Sequence, residues 1–271
     1  MPNIDKVNKV KEEAHKLMFE DHKFVDGLVI LLELIETEEV DWNVYYLLGQ
    51  GFRFTNDYKN SIKFLSKAID LNSDEAPIFH ALGISYQLNG DYSIAIDKFK
   101  KALNLDPTNN LSYNSIGLTY RKMGEIYKAM QYYSKAQNLI ISNIHKQICN
   151  PESLCYKDEI IDGKKTMSVL PYYFIKTEEM LKSNPEYAIV TNNIGVCFYE
   201  LGDIEAAREK YQESVEMTPS GYNYPDPANA LKDLDELKEQ YCSEENVPDD
   251  GINMTHREPE KWPDVWEKKK D

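Results

Sequence analysis

Three glycines, Gly49, Gly83 and Gly117, stand 34 residues apart, and the residues around them keep the same spacing. Leu48, Leu82 and Ile116 precede them, and Phe52, Tyr86 and Tyr120 follow three positions later. Tyr45, Phe79 and Tyr113 share the phase upstream. Downstream it brings up Ser61, Ala95 and Ala129, then Leu65, Phe99 and Tyr133, then Ala68, Ala102 and Ala136. A fixed period of this length marks a stack of identical supersecondary units, none of which can bury its apolar face alone.

The spacings within one unit specify two helices. Tyr45, Leu48 and Phe52 recur at three and four residues and therefore share a helix face, with Gly49 beside them where a side chain would hold a partner helix away. In the second helix, small Ala95 and Ala129 permit close approach. Large Phe99 and Tyr133 alternate with small Ala102 and Ala136, so that successive layers interlock. The turns FTNDY, LNGDY and MGEIY carry helix breakers and capping residues, and Pro107 closes one unit before the next. The expected fold class is all-α, a right-handed superhelical solenoid of antiparallel helix pairs.

The phase divides the chain. Three contiguous repeats occupy 42–137. A further copy at 188–221 carries Gly195, Phe198, Ile204, Ala207, Tyr211, Ser214 and Pro219 in register, with Thr191 in place of the leading aromatic. Counting back from Gly49 reaches His15 and assigns Met18, Phe24, Gly27, Leu31 and Leu34 to the core of a degenerate hairpin within 1–41, its helices spanning about 3 to 37. Gly117 and Gly195 lie two repeats plus ten residues apart, so the segment 138–187 holds an insertion, between about 138 and 153, and a degenerate repeat at 154–187. Either the helix beginning near Ile126 runs on or a loop bulges; the apolar spacing of Leu139, Ile140, Ile144 and Ile148 favours the longer helix as far as Pro151. In the same segment PYYFIKTEEMLKSNPEY reads as a second helix, while LCYKDEIIDGKKTMSV departs from the pattern and reads as distorted or part loop. Residues 225–242 form an amphipathic capping helix with a stripe of Ala230, Leu231, Leu234, Leu237 and Tyr241. Residues 243–271 lose all periodicity and read as a flexible acidic tail, in which Trp262 and Trp266 are an apolar pair for the protein's own surface, its groove or a partner.

These residues and spacings resemble the tetratricopeptide repeat family. The units beginning at Trp42, Ala76, Asn110 and Ala188 carry its Leu-Gly, aromatic, Ala, aromatic, Ala and Pro marks in register, and weaker units extend the likeness over roughly 3–219. The resemblance implies a groove lined by the first helix of each pair, holding a peptide or helical segment of a partner protein. It places Asn43, Tyr46, Gln50 and Arg53, then His80, Ile84 and Gln87, then Asn114, Leu118, Arg121 and Lys122, and finally Asn192, Val196 and Tyr199 on that surface. Asn114 and Asn192 are similar to the asparagines with which such grooves hold a peptide backbone, since one amide serves both a peptide N–H and a C=O. A subclass of the family binds the acidic tails of chaperones through a basic clamp. Tyr46, Gln50, Ala81, Leu111 and Ser115 stand in the equivalent region, so that activity is disfavoured.

Composition narrows the function further. The net charge of −15 is concentrated in residues 1–41 and 221–271 and argues against direct nucleic-acid binding. No apolar run is long enough for membrane insertion, and the opening MPNIDKVNKVKEE has no signal-peptide core, which leads to an expected cytoplasmic location with the nucleus as the alternative. Cys149, Cys155, Cys197 and Cys242 show no metal-ligand spacing and read as free thiols, and His15, His22, His80, His145 and His256 are dispersed. Neither a P-loop nor a dinucleotide glycine pattern is present. The expectation is a non-enzymatic adaptor without cofactor or metal, whose partner is a protein or peptide ligand; the rival is a scaffold that forms a homo-oligomer through its solenoid faces.

Overall fold

The computed structural model describes residues 4–148, 156–161, 164–169 and 171–242. The tail 243–271 with Trp262 and Trp266, and Cys149, Cys155 and Pro151, lie outside the described residues. Two compact units make up the chain, Met1–Ala136 and Gln137–Asp271.

The first unit is a run of antiparallel helix pairs: α1 (Ile4–His15, continued by a π-helical turn Lys16–Glu20) with α2 (Phe24–Thr37), α3 (Trp42–Phe54) with α4 (Tyr58–Leu71), α5 (Ala76–Leu88) with α6 (Tyr92–Leu105), and α7 (Asn110–Lys122) with the first part of α8 (Ile126–Ile148). Each pair closes on the contact that the 34-residue phase specifies. A Cβ added to Gly49 would stand 2.4 Å from the Leu65 side chain, one at Gly83 2.6 Å from the Phe99 ring, and one at Gly117 2.7 Å from the Tyr133 ring. The glycines are therefore a steric requirement of helix approach. In the N-terminal pair, where His15 replaces that glycine, the tightest approach falls on Gly27 of α2, whose Cβ would meet Met18 at 2.4 Å. Met18, Gly27, Leu31 and Leu34 are buried as the phase predicts, and Phe24 packs against the same core.

The turn between the two helices of a pair repeats with the helices. His22, Asn56, Gly90 and Gly124 occupy one repeat position, and all take positive φ. Two of the first helices, α3 and α7, start on side-chain caps: Asp41 accepts from the Asn43 and Val44 N–H groups at 3.1 and 3.2 Å, and Asn109 accepts from the Ser112 N–H at 2.8 Å.

In the second unit α8 runs on to Ile148, with Ile140 and Ile144 buried, so the ten extra residues begin as helix. Two antiparallel strands follow, β1 (Tyr156–Ile161) and β2 (Lys164–Val169), paired from Tyr156↔Val169 to Ile161↔Lys164. This hairpin occupies the stretch where the helical phase fails, and an otherwise all-α solenoid thus carries one short strand pair. α9 (Pro171–Lys182), α10 (Pro185–Glu200), α11 (Ile204–Glu216) and α12 (Asp226–Cys242) complete the unit. Gly195 repeats the close approach, its Cβ position 2.8 Å from the Tyr211 ring. Thr191, at the position held by an aromatic elsewhere, is fully buried and accepts a hydrogen bond from Gln137 Nε2 at 2.9 Å. A polar contact thus replaces an aromatic one. α12 caps the unit by packing Leu234, Ala230 and Leu231 onto Ala207 and Tyr211.

Candidate functional site

The three first helices α3, α5 and α7 carry most of the residues expected on the groove, and their environments differ. On α3, Tyr46 is half-buried, and burial raises its hydroxyl above the usual tyrosine range while the nearby Arg53 charge opposes the rise. Arg53 donates from Nη2 to Gln50 Oε1 at 3.0 Å and lies over the Phe54 ring, 4.2 Å from its centroid. Burial lowers the Arg53 pKa, opposed by Tyr46, and its Nε is shielded from solvent without an acceptor. Asn43 stands in the first turn of α3, where its backbone N–H is capped by Asp41.

On α5, His80 and Gln87 tie one repeat to the next. The Nδ1 of His80 shares a 2.9 Å hydrogen bond with the Ser112 hydroxyl of α7. Burial, reinforced by the Arg53 charge, pushes the His80 pKa down to about 4, so the ring is neutral near pH 7. Gln87 is only 6% exposed; its Nε2 donates to the Thr119 hydroxyl at 2.7 Å and to the Ser115 carbonyl at 3.2 Å. Ile84 is half-buried and packs towards the Phe99 and Ile116 core. On α7, Asn114, Leu118 and Arg121 are half-buried, and Lys122 is exposed.

The three residues expected from the second unit lie together on α10, beneath the capping element. Asn192 is 6% exposed and hydrogen-bonded to the Tyr224 hydroxyl, while its Oδ1 has no partner. Burial, with Asp226 adding to it, pushes Tyr224 up to about 12. Val196 and Tyr199 pack into the cluster that includes Leu234, and burial, helped by Asp233, raises the Tyr199 hydroxyl as well.

Polar contacts buried between repeats are the feature that sequence reading overlooked. Ser61 stands at the position of Ala95, Ala129 and Ala207, and its hydroxyl donates to the Gly49 carbonyl at 2.7 Å while lying 2.7 Å from the Ser85 hydroxyl. A hydroxyl at a position specified as small and apolar was the available signal, since a buried hydroxyl requires a partner. Among the described residues no group of three or more His, Cys, Asp or Glu side chains is arranged to hold a metal ion, and no helix is long and apolar enough to cross a membrane.

Comparison with known proteins agrees with the repeat geometry. The pattern described as TPR repeat matches residues 88–124, and patterns described as Tetratricopeptide repeat match 43–75, 112–140 and 178–222. The chain belongs to the tetratricopeptide repeat family. Among solved structures it is similar to TTC0263, a thermophilic TPR protein of Thermus thermophilus, with 12% identity over 84% of this chain and 100% of that one and a TM-score of 0.56. It is also similar to "MamA 41-end from Desulfovibrio magneticus RS-1", with 15% identity, 79% and 95% coverage and a TM-score of 0.54. These likenesses establish a shared all-α repeat fold. No curated protein sequence matches the chain.

Proposed function

We propose that this protein is a non-enzymatic adaptor that binds a peptide or helical segment of a partner protein along the first helices of its repeats. The observation that carries this reading is the row formed at one repeat position by Gln50, Ile84 and Leu118. All three remain partly exposed beside the buried stripes of their helices, and two are apolar. Tyr46 and Arg53 on α3, and Asn114 and Arg121 on α7, flank the row and give it mixed apolar and polar chemistry suited to an amphipathic segment. Asn192, Val196 and Tyr199 on α10 pack against Tyr224 and the α11–α12 core and stand apart from this row. A cytoplasmic or nuclear location goes with this reading.

The test uses the full chain and arrayed peptides bearing Leu, Ile or Phe anchors, compared with a Leu118→Asp, Asn114→Ala variant of unchanged helicity. Peptides retained by the natural sequence and lost by the variant support the adaptor. Equal retention by both removes these helices from the binding surface.

Self-assembly is the second reading, favoured by Val25 and Val29 on α2, which are 64% and 48% exposed and lie one helical turn apart. A concentration-dependent oligomer that Val25→Asp with Val29→Asp converts to monomer, with no peptide bound, would support it over the adaptor.

A further inference from the structure

Arg53 is a half-buried cation with no anion beside it among the described residues. Its neighbours are neutral or aromatic: the Gln50 amide at 3.0 Å, the Phe54 ring at 4.2 Å, the Tyr46 hydroxyl, and the His80 imidazole, which is uncharged at neutral pH. The contrast lies within the same acidic chain, where Arg208 is paired with Asp235 at 2.6 Å. A guanidinium withdrawn from water and left without a counter-charge is destabilising, and a carboxylate is the acceptor its planar fork fits best.

The surroundings hold that fork in place. The Phe54 ring under the guanidinium stacks on Phe24 with centroids 4.7 Å apart and planes 18° from parallel, and Phe19 meets Phe54 edge-on at 5.9 Å. Phe54 nevertheless remains 43% exposed, so an apolar shelf adjoins the cation. Of the five guanidinium donors, one is taken by a neutral amide oxygen and Nε has no acceptor.

We propose that Arg53 is the binding site for one carboxylate, the side chain of an Asp or Glu in the partner segment, and that the Gln50 amide oxygen occupies the carboxylate's seat until that segment binds. The proposal rests on the adaptor reading above and gives the partner a chemistry: an acidic residue whose apolar neighbour lies against Phe54. One uncompensated positive charge matches one carboxylate; a phosphate dianion would leave a charge unmatched. The site consists of a single arginine and an amide on one helix, unlike the basic clamp of the chaperone-binding subclass, whose equivalent positions here are uncharged.

The experiment measures fluorescence anisotropy of two labelled peptide sets with the full chain, identical in their Leu and Phe anchors and differing only in a central Glu or Gln. The natural sequence is expected to favour the Glu set by roughly tenfold to a hundredfold. Arg53→Gln should erase that difference. Gln50→Glu should erase it too, because an internal carboxylate then occupies the arginine, and this variant should melt no lower than the natural sequence. Equal binding of both sets, together with loss of both in Leu118→Asp, would overturn the carboxylate site and leave the adaptor reading standing. Binding of neither set, or of both without effect of Leu118→Asp, would overturn the adaptor reading and this proposal with it.

Discussion

Gly83 lies flat against the Phe99 ring, so that a methyl group on Gly83 would stand 2.6 Å from two of its carbons. The ring is fully buried. Gly83→Ala is therefore expected to destabilise the first unit by about 1–3 kcal/mol, the usual cost of overpacking a core, despite the higher helix propensity of alanine. Urea denaturation monitored by circular dichroism checks the sign, which a solvent-facing glycine would reverse.

His22 holds the left-handed conformation that Gly90, Gly124 and Gly202 hold at the same position of other repeats, with φ of 56°. A side chain there carries a backbone penalty that glycine avoids. His22→Gly should raise stability by roughly 0.5–1 kcal/mol. Asn56→Gly should gain less, because it loses the 2.9 Å hydrogen bond from the Tyr58 hydroxyl to Asn56 Oδ1. Thermal melts of the two variants, run together, test the ordering.

His80 links stability to pH. Its folded-state pKa of about 4 lies below the ordinary 6.5, so the unfolded chain binds the proton more readily between those values. Its contribution is complete above about pH 6.5, declines as pH falls and is gone below about 4; the full size is roughly 3 kcal/mol. Between pH 7 and 5 the natural sequence should lose stability more steeply than His80→Asn. Parallel curves would show that the ring is not shielded.

Gln87 separates a structural role from a binding role. Gln87→Leu removes both donated hydrogen bonds to α7 and should cost about 1–2 kcal/mol. A residue serving only a ligand would change stability by less than about 0.5 kcal/mol. Equilibrium unfolding in the absence of peptide distinguishes the two.

The helix pairs were legible in the sequence because their determinants are periodic: Gly49, Gly83 and Gly117 with Leu65, Phe99 and Tyr133 specify the closest approaches. The hairpin of β1 and β2 was not. Helical phase is silent where no repeat exists, although Asp162-Gly163 between two six-residue runs is a two-residue hairpin signal. For the candidate site, repeat phase identified which residues share the first helices and could not foresee their partners. Gln87 and His80 are engaged by Thr119 and Ser112 one repeat away, and Asn192 by Tyr224. Such pairings depend on which side chains the next repeat happens to bring opposite.

Those pairings also bear on assembly order. Repeats built on one pattern could stack in the wrong sequence, since α4 and α6 share the order small, large, small at Ser61, Leu65, Ala68 and at Ala95, Phe99, Ala102. The buried contacts are not: Ser61 meets Ser85 at one junction, while His80 meets Ser112 and Gln87 meets Thr119 at the next. A misplaced neighbour would set Ser61 opposite Thr119 in place of Ser85 and leave Gln87 without its acceptor. Each junction thus carries its own address, written in polar atoms, and the order of the array is encoded in the few core positions that break its apolar monotony.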